Sequence, residues 1–480
     1  MAEKRGSQKL RDAYDLVILG AGPAGYVAAI RASQLGLDTL CVEAEDREGG
    51  FGGCCLNWGC IPAKALLESA AIAHRVQHEA ADFGVRARDL QLDVGQAVSR
   101  SRLVSERLTK GVQFLFRKNN VTGARGRGRL QKGKKVAIEL AEGGTTTVTA
   151  KRGILIATGA RAKTFPGFEF EGDRVFSSRE ALEVKKIPQR IVIVGAGAVG
   201  VEFADVFGAF GADVTVVEAL PQLVPVEDVE VAKVLDGAFR KRGIKTRVGT
   251  KVKSLDRSNK RTLKLTVEKD GQEETLETEA VLMAVGRAPN IDGIGLEEAG
   301  VALENGFIKV DGHARTSADG IYAAGDVAGP PMLAHKGSHE AIVAVEHLAG
   351  QNPHPMRKDN IPNCTYCHPE IASVGLTEKA AREAGHKIVT GKFPFSANGR
   401  ALTAGNPDGF VKIVADEKYG EVLGVHIVGH HATELIAEMG LGRALETTVE
   451  EIVHVAHAHP TLSEAVMEAA FATLGRPIHI

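Results

Sequence analysis

The chain has 480 residues, with 59 Lys plus Arg against 60 Asp plus Glu and a net charge of −1 at pH 7. At roughly 150 residues per domain that length argues for about three domains, and a composition of 44% apolar and 25% charged residues is ordinary for a globular protein. The balanced charge offers no basic field to nucleic acid or to an anionic membrane surface, and no uninterrupted apolar stretch is long enough to span a bilayer, so neither is expected as a partner. The start, MAEKRGSQKLRDAYD, is polar and lacks the apolar core of a secretory signal. A cytoplasmic protein is expected, with Met1 to Arg11 as a disordered lead-in.

The first element is a buried strand at Asp15 to Gly20 (DLVILG). It runs into Gly20-Ala21-Gly22-Pro23-Ala24-Gly25, then an Ala-rich helix closed by Gly36, then a second strand, TLCVE, ending at Glu43. Next comes GGCCLNWGCIPAK, residues 52–64. Clustered Cys in a long cytosolic chain point to redox chemistry or a metal more often than to structural disulfides. Cys55 and Cys60 have CxxxxC spacing, and Pro62 to Ala73 reads as a helix with Pro in its first turn. Cys60 then lies at a helix N-terminus, where partial positive charge favours the thiolate, and Lys64 adds cationic character a turn further on. Two buried structural Cys, or half of a metal site, are the alternatives. A metal is disfavoured because no second Cys/His pair follows at ligand spacing, and none is expected.

The opening pattern then returns. Arg190 to Gly195 (RIVIVG) is a strand, followed by Gly195-Ala196-Gly197-Ala198-Val199-Gly200, a helix closed by Gly211, and the strand VTVVE ending at Glu218. In both copies the acid stands eighteen positions past the third glycine. A single GxGxxG is weak evidence, but two copies, each between strand and helix and each with its acid, are not easily chance. The first glycine makes the turn, the second lets the backbone approach a pyrophosphate, and the third lets helix pack on strand. The helix N-terminus favours the phosphate charge. The chain is therefore read as binding two dinucleotides, against the plainer alternative of two ordinary βαβ turns. Further on, Cys364 and Cys367 form a CxxC beside His368. A second redox or metal site is one reading. The favoured one is a pair of small packed residues in a strand, because free Cys is among the most buried types; Cys41 is read as core on the same ground.

GGCCLNWGCIPAK resembles the redox-active segment of the class I pyridine nucleotide–disulfide oxidoreductases, and the resemblance extends over nearly the whole chain. Ala157-Thr158-Gly159 looks like that family's crossover from FAD to NAD domain, and Ala284 to Asn290 (AVGRAPN) like its return. Ala324-Gly325-Asp326 resembles the second FAD fingerprint. Pro331 to Lys336 (PMLAHK) is similar to the following turn in the dihydrolipoyl dehydrogenase branch, and His457 to Glu464 (HAHPTLSE) resembles that branch's C-terminal active-site motif. Cys54 departs from the pattern, standing where Thr, Val or Ile is common, and so does Ala63, where Ser or Thr is common. Cys54 could compete for Cys60 or be oxidised itself.

The resemblance implies an α/β fold with two Rossmann-like dinucleotide-binding domains, for FAD and NAD, plus a C-terminal α+β dimerisation domain. The FAD domain would comprise residues 12–157 and 287–358, with the NAD domain inserted at 158–286 and the interface domain at 359–480. FAD would be held by Gly20, Gly22, Gly25, Glu43, Lys64, Gly128, Thr158, Gly159, Asp326, Met332, Leu333, Ala334 and His335. NAD would be held by Gly195, Gly197, Gly200, Glu202, Glu218, Val252 and Gly286. Cys55 and Cys60 would form the redox disulfide, Cys55 meeting substrate and Cys60 the flavin. Glu202 would pair with Lys64 at the flavin–nicotinamide junction; its plainer alternative is a solvated helix carboxylate. Among the many C-terminal histidines His459 stands apart as the acid–base group, since Pro460 fixes the backbone beside it and Glu464 is near enough to orient it. His457 is its local competitor.

The expected reaction is oxidation of protein-bound dihydrolipoamide with reduction of NAD+. The expected partners are a second copy of the chain and the lipoyl domains of a 2-oxo acid dehydrogenase complex or the glycine cleavage system, since no fused lipoyl domain precedes the first strand. Rival readings are a glutathione- or mercuric-reductase-like enzyme and a non-catalytic flavoprotein subunit. Glu218 is followed by ALPQLVPV, without the Arg usual in NADPH-dependent relatives, and the chain ends GRPIHI, without a vicinal Cys pair. A scaffold subunit would need neither the Cys pair nor His459 and Glu464.

Overall fold

The computed structural model describes residues 10–44 and 50–480. Residues 1–9 of the expected disordered lead-in lie outside them. The chain divides into two compact units, one formed by residues up to 62 with 99–161 and 287–356, the other by 63–98, 162–286 and 357–480.

In the first unit, β1 (Ala13–Leu19), α1 (Pro23–Gln34) and β2 (Thr39–Glu43) make a βαβ turn. Leu16 to Leu19 and the whole of β2 are buried, as strands covered on both faces must be. The helix can lie close because its inner face is small: Ala24, Gly25, Ala28, Ala29 and Ala32 are buried. The helix Ala334–Leu348 packs along it through equally small residues, Gly337, Ala341 and Ala344. The parallel sheet runs 122–131, β2, β1, 145–156 and 321–323, and the strand 135–140 joins two of these as an antiparallel hairpin. After β2 the chain forms α2 (Gly53–Trp58), then α3 (Cys60–His78), which continues into the second unit. The sequence pointed to a helix over Pro62 to Ala73. The helix is longer at both ends and Cys60 is its first residue.

The second unit repeats the motif with β3 (Arg190–Val194), α4 (Ala198–Ala209) and β4 (Asp213–Glu218). Its parallel sheet runs 245–248, β4, β3, 280–283 and 175–176, beside an antiparallel ribbon of 251–256, 263–269 and 272–278. The two turns match residue for residue. Leu19 faces Val42 across β1 and β2, and Val194 faces Val217 across β3 and β4. Gly36 and Gly211 both have positive φ, +80° and +95°, just past their helices. In each case the next N–H returns to the last turn, Leu37 to Ala32 O and Ala212 to Phe207 O, the pattern of a left-handed helix cap.

The rest of the second unit is an antiparallel sheet ordered 363–365, 370–375, 422–429, 410–416 and 388–394. All eight residues of Val422–Gly429 are buried. The helix Ala432–Ala444 packs on its first half and Glu464–Thr473 on its second. The architecture is thus α/β, with two Rossmann-like halves and a C-terminal α+β portion. Among the described residues no helix is long and apolar enough to cross a membrane.

Cys41 is buried in β2. Cys364 lies in the strand 363–365 and is half-buried, whereas Cys367 is fully buried but sits beyond that strand's end, so only one of the two is a strand residue. Both are free thiols, and burial pushes Cys364 up to about 12 and Cys367 well above its ordinary value. Thiols so placed are poor nucleophiles.

Candidate functional site

The glycines of the first turn are required by contact. Gly20 has φ +98°, and a Cβ there would lie 2.3 Å from Ala157 O; a Cβ on Gly25 would lie 1.8 Å from Gly20 O. Gly22 precedes α1 in extended backbone, leaving the first amides of the helix without intrahelical partners. Glu43, buried at the end of β2, accepts from the Ala21 amide at 2.8 Å. The second turn copies this. Gly195 has φ +100° and a Cβ there would lie 2.4 Å from Ala284 O; a Cβ on Gly200 would lie 1.8 Å from Gly195 O. Glu218 accepts from the Ala196 amide at 2.7 Å and from the Leu220 amide at 2.8 Å. A helix N-terminus beside a strand-end carboxylate fits a dinucleotide's pyrophosphate and ribose in both places.

The cysteine segment is seated on the first turn. The Gly52 amide donates to Ala21 O at 2.7 Å, and Gly53, at φ +58°, comes so near Gly22 that a Cβ would lie 2.5 Å from Gly22 Cα. Arg102 fixes the other side, donating to Asn57 O at 2.7 Å with its guanidinium over the Trp58 ring. Cys55, on α2, and Cys60, opening α3, form a disulfide with their Cα atoms 4.7 Å apart. Cys54 is not part of it; its Sγ lies 3.3 Å from Arg287 Nη2.

Lys64 follows one turn along α3. Its Nζ donates to both oxygens of Glu202 at 2.8 Å. Glu202 is 5% exposed, which excludes a solvated helix carboxylate, and also accepts from the Tyr366 amide at 3.0 Å.

The remaining candidates of the first unit cluster around a few long-range bonds. The Thr158 hydroxyl donates to Asn290 O at 2.8 Å and the Asn290 amide returns a bond to Thr158 O at 2.9 Å, locking the Thr158-Gly159 turn. Gly128 sits where a Cβ would lie 2.4 Å from Leu19 Cδ2. Burial raises the Asp326 carboxyl above its ordinary range, against the nearby charges of Arg287 and Lys336. Its turn is pinned by a buried pair: Lys336 lies 3.1 Å from Glu340 and donates to Gly329 O at 2.7 Å, and Glu340 accepts from the Gly325 amide at 2.9 Å. Met332 and Leu333 lead into the helix Ala334–Leu348, with Ala334 and His335 in its first turn. In the second unit Val252 lies in the strand 251–256 and Gly286, at φ +104°, just past the strand 280–283.

His459 and Glu464 meet at 2.8 Å through Nδ1 and Oε1, while the Thr461 amide donates to Glu464 Oε2 at 2.8 Å. Burial alone would raise the Glu464 carboxyl. The Thr461 amide and the His459 and His479 rings outweigh it, and the group lies below the usual carboxylate range. The His459 ring is 79% exposed, and its Nε2 has no protein partner among the described residues. His457 differs: one ring nitrogen meets Val455 O at 3.0 Å and the other Glu438 at 2.9 Å. The competitor has no nitrogen to spare.

The family described as pyridine nucleotide-disulphide oxidoreductase matches residues 14–341, and its dimerisation domain matches 361–470. The chain belongs to the pyridine nucleotide-disulphide oxidoreductase family. A Zymomonas mobilis protein named dihydrolipoyl dehydrogenase is 42% identical over 471 residues, covering 98% of this chain and 100% of its own. A Bacillus subtilis protein of the same name is 44% identical over 475 residues, covering 97% and 99%. The crystal structure of LpdA from Mycobacterium tuberculosis superposes with a TM-score of 0.87 at 29% identity, covering 95% of this chain and 98% of its own.

Within this family member, reading the sequence did not single out Asn290, the Lys336–Glu340 pair, Arg287 or Tyr366 as site residues. Asn290, Arg287 and Tyr366 each meet a partner that only the fold brings near. Lys336 carried one local signal, a lysine four positions before a glutamate on a helix, the spacing of an ion pair.

Proposed function

We propose that this chain oxidises protein-bound dihydrolipoamide to lipoamide with reduction of NAD+. The observation that carries this is the Cys55–Cys60 disulfide, seated by Gly52 and Gly53 on the first dinucleotide turn. Gly20, Gly22, Gly25 and Glu43 hold the ADP half of FAD, with Gly128, the Thr158-Gly159 turn, Asp326 and the residues Met332 to His335 completing its site. Gly195, Gly197, Gly200 and Glu218 hold NAD, flanked by Val252 and Gly286. Glu218, with no base among residues 219–226, accepts a ribose hydroxyl and repels a 2′-phosphate.

His459, oriented by Glu464, takes the proton of one dihydrolipoamide thiol. The thiolate attacks Cys55 Sγ, the Cys55–Cys60 bond breaks, and Cys60 leaves as a thiolate favoured by the N-terminus of α3. The second lipoyl thiol then displaces Cys55, which closes the lipoyl disulfide and leaves both cysteines reduced. FAD, when bound, carries the two electrons from the cysteine pair to NAD+. Lys64 and Glu202 line that junction. Residues 12–157 with 287–358 form the FAD domain, 158–286 the NAD domain and 359–480 the interface domain. Two copies pair so that His459 serves the partner's disulfide. The protein works in the cytoplasm on lipoyl domains of a 2-oxo acid dehydrogenase complex or of the glycine cleavage system.

A steady-state comparison tests this: dihydrolipoamide with NAD+ should turn over far faster than glutathione disulfide with NADPH, and the reverse order overturns it. His459→Ala should cost ~10²–10⁴ in rate, the usual loss of a general base, while Glu464→Ala should cost less.

A further inference from the structure

The Lys64–Glu202 pair has a third member. The strand 363–365 delivers Tyr366, whose amide donates to Glu202 Oε1 at 3.0 Å while Lys64 Nζ lies 4.5 Å from the centre of its ring. A lysine stem is flexible, and one carboxylate leaves the ammonium free to swing about it. Lys64 is 32% exposed along its side chain, so packing does not fix it. The ring supplies a second, differently directed hold, since a cation within about 6 Å of an aromatic face is attracted to it. The phenol is neutral when it does so: burial, then the neighbouring Cys364 thiol and the carboxylates of Glu202, Glu370 and Glu434, push Tyr366 up to about 12. Tyr366 is itself 37% exposed, so it is not there to fill a core.

We infer that Tyr366 is a positioning residue for hydride transfer, its ring face holding the Lys64 ammonium and its amide holding the Glu202 carboxylate, so that the pair meets the flavin–nicotinamide junction in one geometry. This rests on the function proposed above. The ring, and not the hydroxyl, is what the role needs.

The test uses Tyr366→Leu, Tyr366→Gln and Tyr366→Phe in the purified flavoprotein. Brief acetylation with acetic anhydride, read by mass spectrometry at the peptide carrying Lys64, reports how firmly the amine is held and needs no turnover. Leu and Gln should label roughly 2- to 30-fold faster than the parent, the range for one cation over an aromatic face, and Phe should label like the parent. Stopped-flow transfer from the reduced enzyme to NAD+ should fall by a similar factor in Leu and Gln and be rescued in Phe, with reduction of the enzyme by dihydrolipoamide unaffected. If Phe behaves like Leu, or if neither Leu nor Gln exposes Lys64, the inference is wrong. Should Leu not fold, Gln and Phe still decide. A parent enzyme that does not oxidise dihydrolipoamide would sink the proposed function, while the labelling would still judge Tyr366.

Discussion

In the first dinucleotide turn a Cβ on Gly22 would lie 3.8 Å from Gly53 Cα, and one on Gly53 only 2.5 Å from Gly22 Cα; in the second, a Cβ on Gly197 would meet none of the described residues within 4 Å. The two backbones are otherwise the same, down to the acid that accepts the amide of the residue after the first glycine. What differs is the cover, and the cover on the first turn is the cysteine segment itself. A ligand under packed backbone leaves only when that backbone moves, whereas one on an open turn can exchange. On the function proposed above, one pattern would thus serve a resident FAD and an exchanging NAD, with the redox cysteines carried by the segment that covers the first turn.

The largest expected effect comes from breaking the shared feature in one turn at a time. A Cβ at 1.8 Å from a carbonyl oxygen cannot be accommodated without moving the helix off its strand. Gly25→Ala should yield protein without flavin. Gly200→Ala should keep its flavin spectrum and its reduction by dihydrolipoamide, and lose roughly 10²-fold in NAD+ reduction, the upper end of what overpacking costs. Gly53→Ala should lower flavin retention, while Gly197→Ala leaves it alone. Flavin absorbance after gel filtration distinguishes them, and loss of flavin from Gly200→Ala would show that the turns are not independent.

Much of this was legible in the sequence because it is written in short-range spacing. Glycine at a turn, small residues along one helix face, an acid eighteen positions past the third glycine and a histidine five positions before a glutamate are local patterns that one element imposes. The two dinucleotide turns and the Cys60 helix start were read that way. What escaped is held by distance. Tyr366 meets Glu202 across 164 positions and Asn290 meets Thr158 across 132; no periodicity announces such pairs. The Lys64–Glu202 bond spans 138 positions and was anticipated only through the family resemblance. The short helix α2 escaped for another reason: it is six residues long and begins after Gly52 at φ +109°, so tertiary docking and not helix propensity makes it.

The comparison sharpens at the strand-end acids. Glu43 and Glu218 occupy matching places, yet on the function proposed above only the second would face a ligand that must be told from its phosphorylated relative. Glu218→Ala removes the charge a 2′-phosphate would meet, and like charges at close range cost several kcal/mol. The NAD+ over NADP+ preference in kcat/KM should therefore narrow by roughly tenfold or more. Glu43→Ala should not change that ratio, though it weakens flavin retention. A parent enzyme that uses both cofactors equally would contradict the assignment of Glu218.

The smallest effect separates the two units by acid. His74 and His430 belong to the second unit and line a cavity of about 420 Å³ with His78 and His368. Burial, then the charge of Arg242 and the neighbouring His78 and His368, lower His74 to about 4, with Asp205 opposing; burial, then His431, His368, Arg75 and Arg400, lower His430 to about 4. Both rings are neutral in the folded protein at pH values where the unfolded chain, with ordinary values near 6.5, already takes up protons. Between about 6.5 and 4 the unfolded state binds more protons, so stability falls as pH falls through that window, is unaffected by these rings above it, and loses nothing more from them below it. The second unit should loosen first. Pulse proteolysis in urea, with fragments assigned to each unit by mass spectrometry, should show its midpoint dropping between pH 6.5 and 4.5 while that of the first unit drops less. His74→Gln with His430→Gln removes the titrating groups and should flatten the slope. An equally steep slope in the double variant would mean that other groups drive the acid response.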